Sequence, residues 1–273
     1  MINNLKHLKG FYQNGKNIMT NPTIKLINSH ASVRKFKSIP ISEDMIETIV
    51  SAAQRASTSS NLQTYSVVVT TKSENLEKLA KISSNQEHVR TAPVFLTWCA
   101  DLARLQKVCL MRNYEQNTMY LENFLIAAVD AALAAQNAAL AAESLGLGIC
   151  YIGGIRNNPE EVIKLLELPK LVFPITGMTI GWPAAESQTH PRLPLNAILH
   201  KEKYDNTTYE KTLLEYDQTM FDTGIYNNRQ VPIPNRNGEM ENYGWLEHTA
   251  RRVSQIIRPN LREEIKKQGF GLN

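Results

Sequence analysis

Cysteine is scarce and badly spaced for any structural use. The three cysteines, Cys99, Cys109 and Cys150, form no CxxC pair, and an odd number cannot all pair within one chain. Free thiols in a reducing compartment follow, which points to the cytoplasm. The first nineteen residues carry Lys6, Lys9 and Lys16 but no apolar run of about 7 to 15 residues, so nothing there reads as an export signal. An excess of one charge is also missing. With 21% charged residues and a net charge of +4, the balance suggests neither a nucleic-acid partner nor a membrane surface. HExxH, GxSxG and Walker-type loops are absent, which removes support for zinc hydrolysis, nucleophile-elbow hydrolysis and P-loop phosphoryl transfer. No GxGxxG follows a first strand, so a nicotinamide cofactor would not be held in the Rossmann manner. The chain offers no obvious acid, base or nucleophile. A cofactor that brings its own reactivity, positioned by protein donors, fits that absence.

What is present is a chain of 273 residues, 42% hydrophobic, long enough for a sizeable core. Its most apolar stretch, residues 123–146 (NFLIAAVDAALAAQNAALAAESLG), is dominated by alanine and interrupted by Asp130, Gln136, Asn137 and Glu143. Several buried polar groups would make a membrane span costly, so the stretch is expected to be a helix buried inside the protein. Asn21 and Pro22 mark a helix start for residues 23–29, and Ser42 opens a second helix with Glu43 and Asp44 in its first turn. Residues 65–70 (YSVVVT), 94–99 (VFLTWC), 149–152 (ICYI) and 175–182 (ITGMTIGW) read as strands, and residues 73–82 and 159–168 as helices. Five prolines, from Pro183 to Pro234, break the remainder around helical patterns at 209–221 and 243–257. This tail has little core of its own and is expected to wrap over the main body or a second subunit. The order suggests an α+β sandwich whose sheet is covered by helices.

Four short segments could carry chemistry. Residues 30–36 (HASVRKF) place His30, Ser32, Arg34 and Lys35 between two helices, where a guanidinium and a hydroxyl suit a phosphate; an exposed basic turn is the alternative. Residues 57–63 (STSSNLQ) concentrate hydroxyls and amides that could grip a polar ring edge, or form a simple loop. Gly153 and Gly154 follow a strand, where absent side chains admit a flat ligand or simply permit a tight turn. Arg192, in HPRLP, is stiffened by its prolines, and reads equally as a surface arginine.

Each segment is common alone. Taken together, and joined by residues 86–89 (QEHV), 141–148 (AAESLGLG), 151–158 (YIGGIRNN), 181–183 (GWP), 191–194 (PRLP) and 227–229 (NNR), they resemble the bacterial oxygen-insensitive NADPH nitroreductases and NADPH-flavin oxidoreductases from about Pro22 to the C-terminus. The resemblance implies a nitroreductase-like α/β sandwich, with a central mixed sheet covered by helices and a C-terminal extension embracing the partner subunit. It implies a single domain over residues 20–273 with an excursion from about residue 184. It also implies FMN bound at the interface of a homodimer, with NADPH or NADH as electron donor and small molecules such as nitroaromatics, quinones or free flavin as acceptors. No nucleic acid or membrane partner is expected. By the same resemblance, His30, Ala31, Ser32, Val33, Arg34, His190 and Arg192 lie along the flavin phosphate and ribityl chain. Thr58, Ser59 and Gln86 meet polar edges of the flavin, and Tyr151, Ile152, Gly153 and Gly154 pass behind its ring. Hydride then moves to flavin N5 and on to the acceptor in two steps, without a catalytic side chain.

The sequence departs from that pattern at several points. Ala31 stands where the family often has a second arginine, and His190 where it has a lysine. Of the two arginines that bind the 2′-phosphate in NADPH-selective members, Arg229 matches one and Gly224 falls at the other, with Arg236 as a stand-in. Use of NADH is therefore expected as well as NADPH. Residues 231–242 form an insertion at the pocket mouth. Residues 1–19 have no family counterpart and are expected to be an extension, disordered or foreign, with Met19 as an alternative start. A flavin-binding sensor or store without turnover is the alternative function.

Overall fold

The computed structural model describes residues 9–13, 16–233 and 236–273. Two compact units divide the chain, one formed by residues 1–189 and 260–273 and the other by residues 190–259.

In the first unit, β1 (Lys9–Gln13) and β2 (Lys16–Thr20) pair antiparallel within the N-terminal extension. Helix α1 (Pro22–Asn28) begins as its sequence suggests, with proline in the first turn and Asn21 Oδ1 accepting from the Ile24 amide at 2.8 Å. Helix α2 (Glu43–Ala53) is capped by Ser42, whose hydroxyl accepts from the Met45 amide. Strand β3 (Tyr65–Thr70), helix α3 (Ser73–Ile82), the single turn α4 (Glu87–Arg90) and strand β4 (Val94–Asp101) follow. After α5 (Ala103–Met111) the chain enters α6 (Leu121–Ser144), then β5 (Gly148–Ile152), α7 (Pro159–Leu165) and β6 (Val172–Gly181).

The central sheet has the order β3-β4-β6-β5, and every pairing in it is antiparallel. This corrects the expectation of a mixed sheet. Among the described residues, the one parallel pairing recorded is an isolated bridge from Ser32 to Ile149. Strand β4 is buried along its whole length because helices cover both faces. Its alternation divides the core: Val94, Leu96 and Trp98 pack with α2 and α6, whereas Phe95 points to α3 and α7.

Helix α6 explains the alanine run. Ala131, Ala134, Ala135, Ala138, Ala139 and Ala142 are wholly buried, and their small side chains let the helix lie close on the sheet. The opposite face corrects the expectation of a fully buried helix: Leu121, Leu125, Val129 and Leu133, four residues apart, are about half exposed. By length and composition α6 could cross a membrane, yet its alanine face is packed on the sheet and Asp130 is buried among hydrogen bonds.

The second unit contains α8 (Tyr209–Asp222), the short hairpin β7 (Gln230–Pro232) with β8 (Met240–Asn242), and α9 (Trp245–Ser254). It has a small core, in which Tyr216, Met220, Tyr226 and Tyr243 are buried and Trp245 meets Tyr216 edge-on at 4.9 Å. The first turn of α9 is held by Asp217, which accepts from the Leu246 amide at 2.8 Å. Residues 260–273, with α10 (Leu261–Lys267), belong again to the first unit, where Phe270 stacks edge-on with Phe124 at 5.2 Å.

Candidate functional site

The segment from His30 to Phe36 is a strand-like strip laid beside β5. Ser32 bridges to Ile149, the Val33 amide donates to the Ile149 carbonyl at 2.8 Å, and Phe36 bridges to Pro183. Val33 is buried because Gly148 leaves room for it; a Cβ at Gly148 would stand 2.6 Å from Val33 Cβ. Neighbouring side chains on such a strip point to opposite sides, so fixing Val33 inward leaves Ser32 and Arg34 on the other face. Arg34 is exposed, and no carboxylate pairs with it among the described residues of its unit. A guanidinium without an acid partner beside a serine hydroxyl is a fitting receptor for an anion such as a phosphate.

Two groups behind this strip register its charge. Burial raises the thiol pKa of Cys150, while Arg34 and hydrogen bonds to Arg34 and Ser32 work against the rise. Burial also pushes His88 below the ordinary histidine value, and the Arg34 charge adds to the effect. His30 is anchored separately: its Nδ1 lies 2.5 Å from Oε1 of Glu143 in the last turn of α6.

The hydroxyl-rich loop is held at a different level of the same helix. Asp130, 1% exposed, accepts from the Ser59 amide at 3.0 Å, the Thr64 amide at 3.0 Å and the Thr64 hydroxyl at 2.7 Å. Within this clamp Ser60, Asn61 and Gln63 all adopt positive φ, a left-handed path that ordinary side chains disfavour. Thr58 caps the short turn, and Ser59 is exposed. Thirteen residues separate Asp130 from Glu143, about 20 Å along a helix. His30 and the hydroxyl loop are therefore held at well-separated points of α6.

Gln86 starts α4 after Ser84 and Asn85, both with positive φ, and Asn157 ties that loop to the turn after β5 by donating to the Ser84 hydroxyl at 2.9 Å. The structure thus brings the loop that precedes Gln86 against the turn that follows Tyr151 and Ile152. Ile152 is buried, Tyr151 is half exposed, and Gly153 opens a short 3-10 turn. The Tyr151 hydroxyl approaches Gln136 at 3.3 Å, and its pKa is raised by burial and then by the Glu143 charge. Gly154 has a protein-based reason for its missing side chain: a Cβ there would stand 3.0 Å from the main chain of Ser83.

In the second unit His190 and Arg192 are exposed, and Arg192 Nη1 donates to the His190 carbonyl at 3.1 Å. Arg229 lies over the ring of Tyr243, 4.1 Å from its centre, and the Tyr243 hydroxyl pairs with His248 Nδ1 at 2.8 Å. Gly224 has φ +75°, and a Cβ there would meet Asn227 Nδ2 at 3.1 Å, so the backbone favours glycine where the resemblance puts an arginine.

Reading from sequence missed Asp130 and Glu143 as site residues. Both were visible as polar interruptions of an alanine-rich helix, but their partners, 66 to 113 residues away, were not. A cleft of about 580 Å³ opens beside Ala31, Val33 and Glu143, and a groove of about 1010 Å³ runs between α2 and the free edge of β3. Arg34, Thr58 and Gln86 line neither.

A two-unit α+β protein with a basic, hydroxyl-bearing strip beside its sheet is the class that these features define. The chain belongs to the nitroreductase family, whose signature matches residues 27–182 and whose C-terminal domain matches residues 190–273. It is 39% identical to the Cr(VI) reductase of Pseudomonas sp. (strain G-1), over 90% of this chain and 98% of that protein. It is 37% identical to the FMN reductase [NAD(P)H] of Bacillus subtilis (strain 168), over 92% of this chain and 98% of that one. The solved structure of NfrA2 from B. megaterium superimposes with a TM-score of 0.86 at 33% identity, covering 93% of this chain and 100% of the other.

Proposed function

We propose that this chain is an FMN-dependent NAD(P)H oxidoreductase, a cytoplasmic homodimer that reduces small acceptors such as nitroaromatics, quinones or free flavin by two electrons in alternating half-reactions. The observation that carries the reading is the strip beside β5, where Arg34 and Ser32 have no acid partner among the described residues of their unit and His30 is fixed on Glu143. That donor set fits the phosphate of FMN. The relatives' names support a reduced nicotinamide donor and FMN, and add chromate to the acceptors worth testing.

When bound, FMN supplies the hydride and electron-pair chemistry, so the chain's own residues have only to bind and orient. His30, Ser32 and Arg34 would hold the phosphate, and His190 and Arg192 are further candidates for holding it. Thr58, Ser59 and Gln86 would bind polar groups of the flavin, and the backbone from Tyr151 to Gly154 would help to hold it. Arg229, steadied by Tyr243, meets the nicotinamide cofactor. The outward leucine and valine stripe of α6 is the seam of the homodimer, because an apolar row of that kind is better covered than wet.

The decisive test is an anaerobic stopped-flow titration of the FMN-loaded protein with NADPH and NADH in parallel, following flavin absorbance. Bleaching by either donor supports the reductase half-reaction, and the ratio of rates reads the effect of glycine at position 224. Failure to bleach with both leaves a flavin sensor or store, the reading that the missing arginine at position 31 favours.

A further inference from the structure

Glu143 is badly placed for any purely structural role. It sits in the last turn of α6, where the helix dipole disfavours an acid, and its side chain is only 11% exposed. Its second oxygen, Oε2, is buried with no hydrogen-bond partner among the described residues. The one strong contact it makes is with His30, at 2.5 Å.

A carboxylate can only accept, so Nδ1 of His30 is the donor, and the ring orientation is fixed with Nε2 turned away from Glu143. Among the described residues of its own unit, Nε2 has no recorded partner. We propose that Glu143 is a positioning residue for cofactor binding: it holds the His30 ring so that Nε2 donates to the phosphate of FMN. This is the histidine-orienting arrangement that carboxylates provide behind metal-bound and catalytic imidazoles, applied here to an anion. The inference rests on the FMN reading and adds to it a residue that never touches the cofactor.

The test compares apoprotein affinities for FMN and for riboflavin, which lacks the phosphate, by flavin fluorescence quenching. Wild type, Glu143→Gln, His30→Gln and the double variant are measured, with far-UV circular dichroism to confirm folding. Glu143→Gln is expected to weaken FMN about tenfold, as one charge-assisted contact loses its alignment, and to leave riboflavin within about twofold. In the His30→Gln background the same change should have no further effect on FMN, because Glu143 acts through His30. Equal weakening of both flavins, or an undiminished effect without His30, would assign Glu143 to fold stability and overturn the proposal. Wild-type protein that does not prefer FMN to riboflavin would instead remove the phosphate reading itself, and the proposal with it.

Discussion

Replacing Asp130 by asparagine isolates the clamp that shapes the loop from Thr58 to Thr64. The carboxylate accepts three hydrogen bonds, from the amides of Ser59 and Thr64 and from the Thr64 hydroxyl, at a position only 1% exposed. The amide of asparagine has one acceptor oxygen, and its NH₂ group cannot accept from a backbone N–H, so one of the two backbone amides, of Ser59 or of Thr64, loses its partner. Hydrogen bonds to a charged group contribute about 1.5–3 kcal/mol each, and a stranded donor costs a similar amount, so a loss of about 2–4 kcal/mol follows. The left-handed residues Ser60, Asn61 and Gln63 lie inside the clamp and would relax once it loosens. In a chain of this size the loss corresponds to a fall in Tm of roughly 4–7 °C. Differential scanning fluorimetry of apoprotein and FMN-loaded protein measures it. Loosening Thr58 and Ser59 should also shrink the stabilisation that FMN confers. A variant that melts within about 2 °C of wild type would refute the clamp, and one that melts early but gains as much from FMN would refute its link to the site.

Four further outcomes follow from particular contacts. Gly148→Ala drives a methyl group into Val33, so the His30–Arg34 strip should move off β5 and FMN affinity should fall by about 1–3 kcal/mol, partly restored by adding Val33→Ala; equilibrium dialysis reads both. Arg229→Ala should raise KM for NADPH several-fold and leave KM for NADH nearly unchanged, and an equal rise for both would argue against contact with the 2′-phosphate. Leu125→Arg with Val129→Glu places charge in the outward stripe of α6 and should yield monomers by light scattering, with loss of bound flavin. His88 is held below the ordinary histidine value, by burial first and Arg34 second, so its protonation opposes folding. The stabilising share is complete above the unfolded-state pKa of about 6.5 and is lost as pH falls toward the folded value, so His88→Gln should flatten the decline in Tm between about pH 7 and pH 5.

Local structure was largely legible in the sequence. Asn21 with Pro22 and Ser42 start helices because side-chain acceptors and a preset φ act within one turn, and the β-branched runs become strands because burial on a pleated surface suits them. The turn α4, helix α5 and both hairpins were not foreseen, since each is short. Recurrence of several motifs in order also identified the family.

Tertiary structure decided what the alanine-rich helix is for. Its composition argued for burial, but only packing distinguished the alanine face on the sheet from the leucine and valine face left outside. The directions of the sheet strands were likewise set by long-range pairing rather than by local propensity. Asp130 and Glu143 show the limit most clearly, because both looked like mere polar interruptions. Their roles depend on a loop and a histidine that chain folding carries to them across tens of residues, and no local energy term records where a distant donor will arrive.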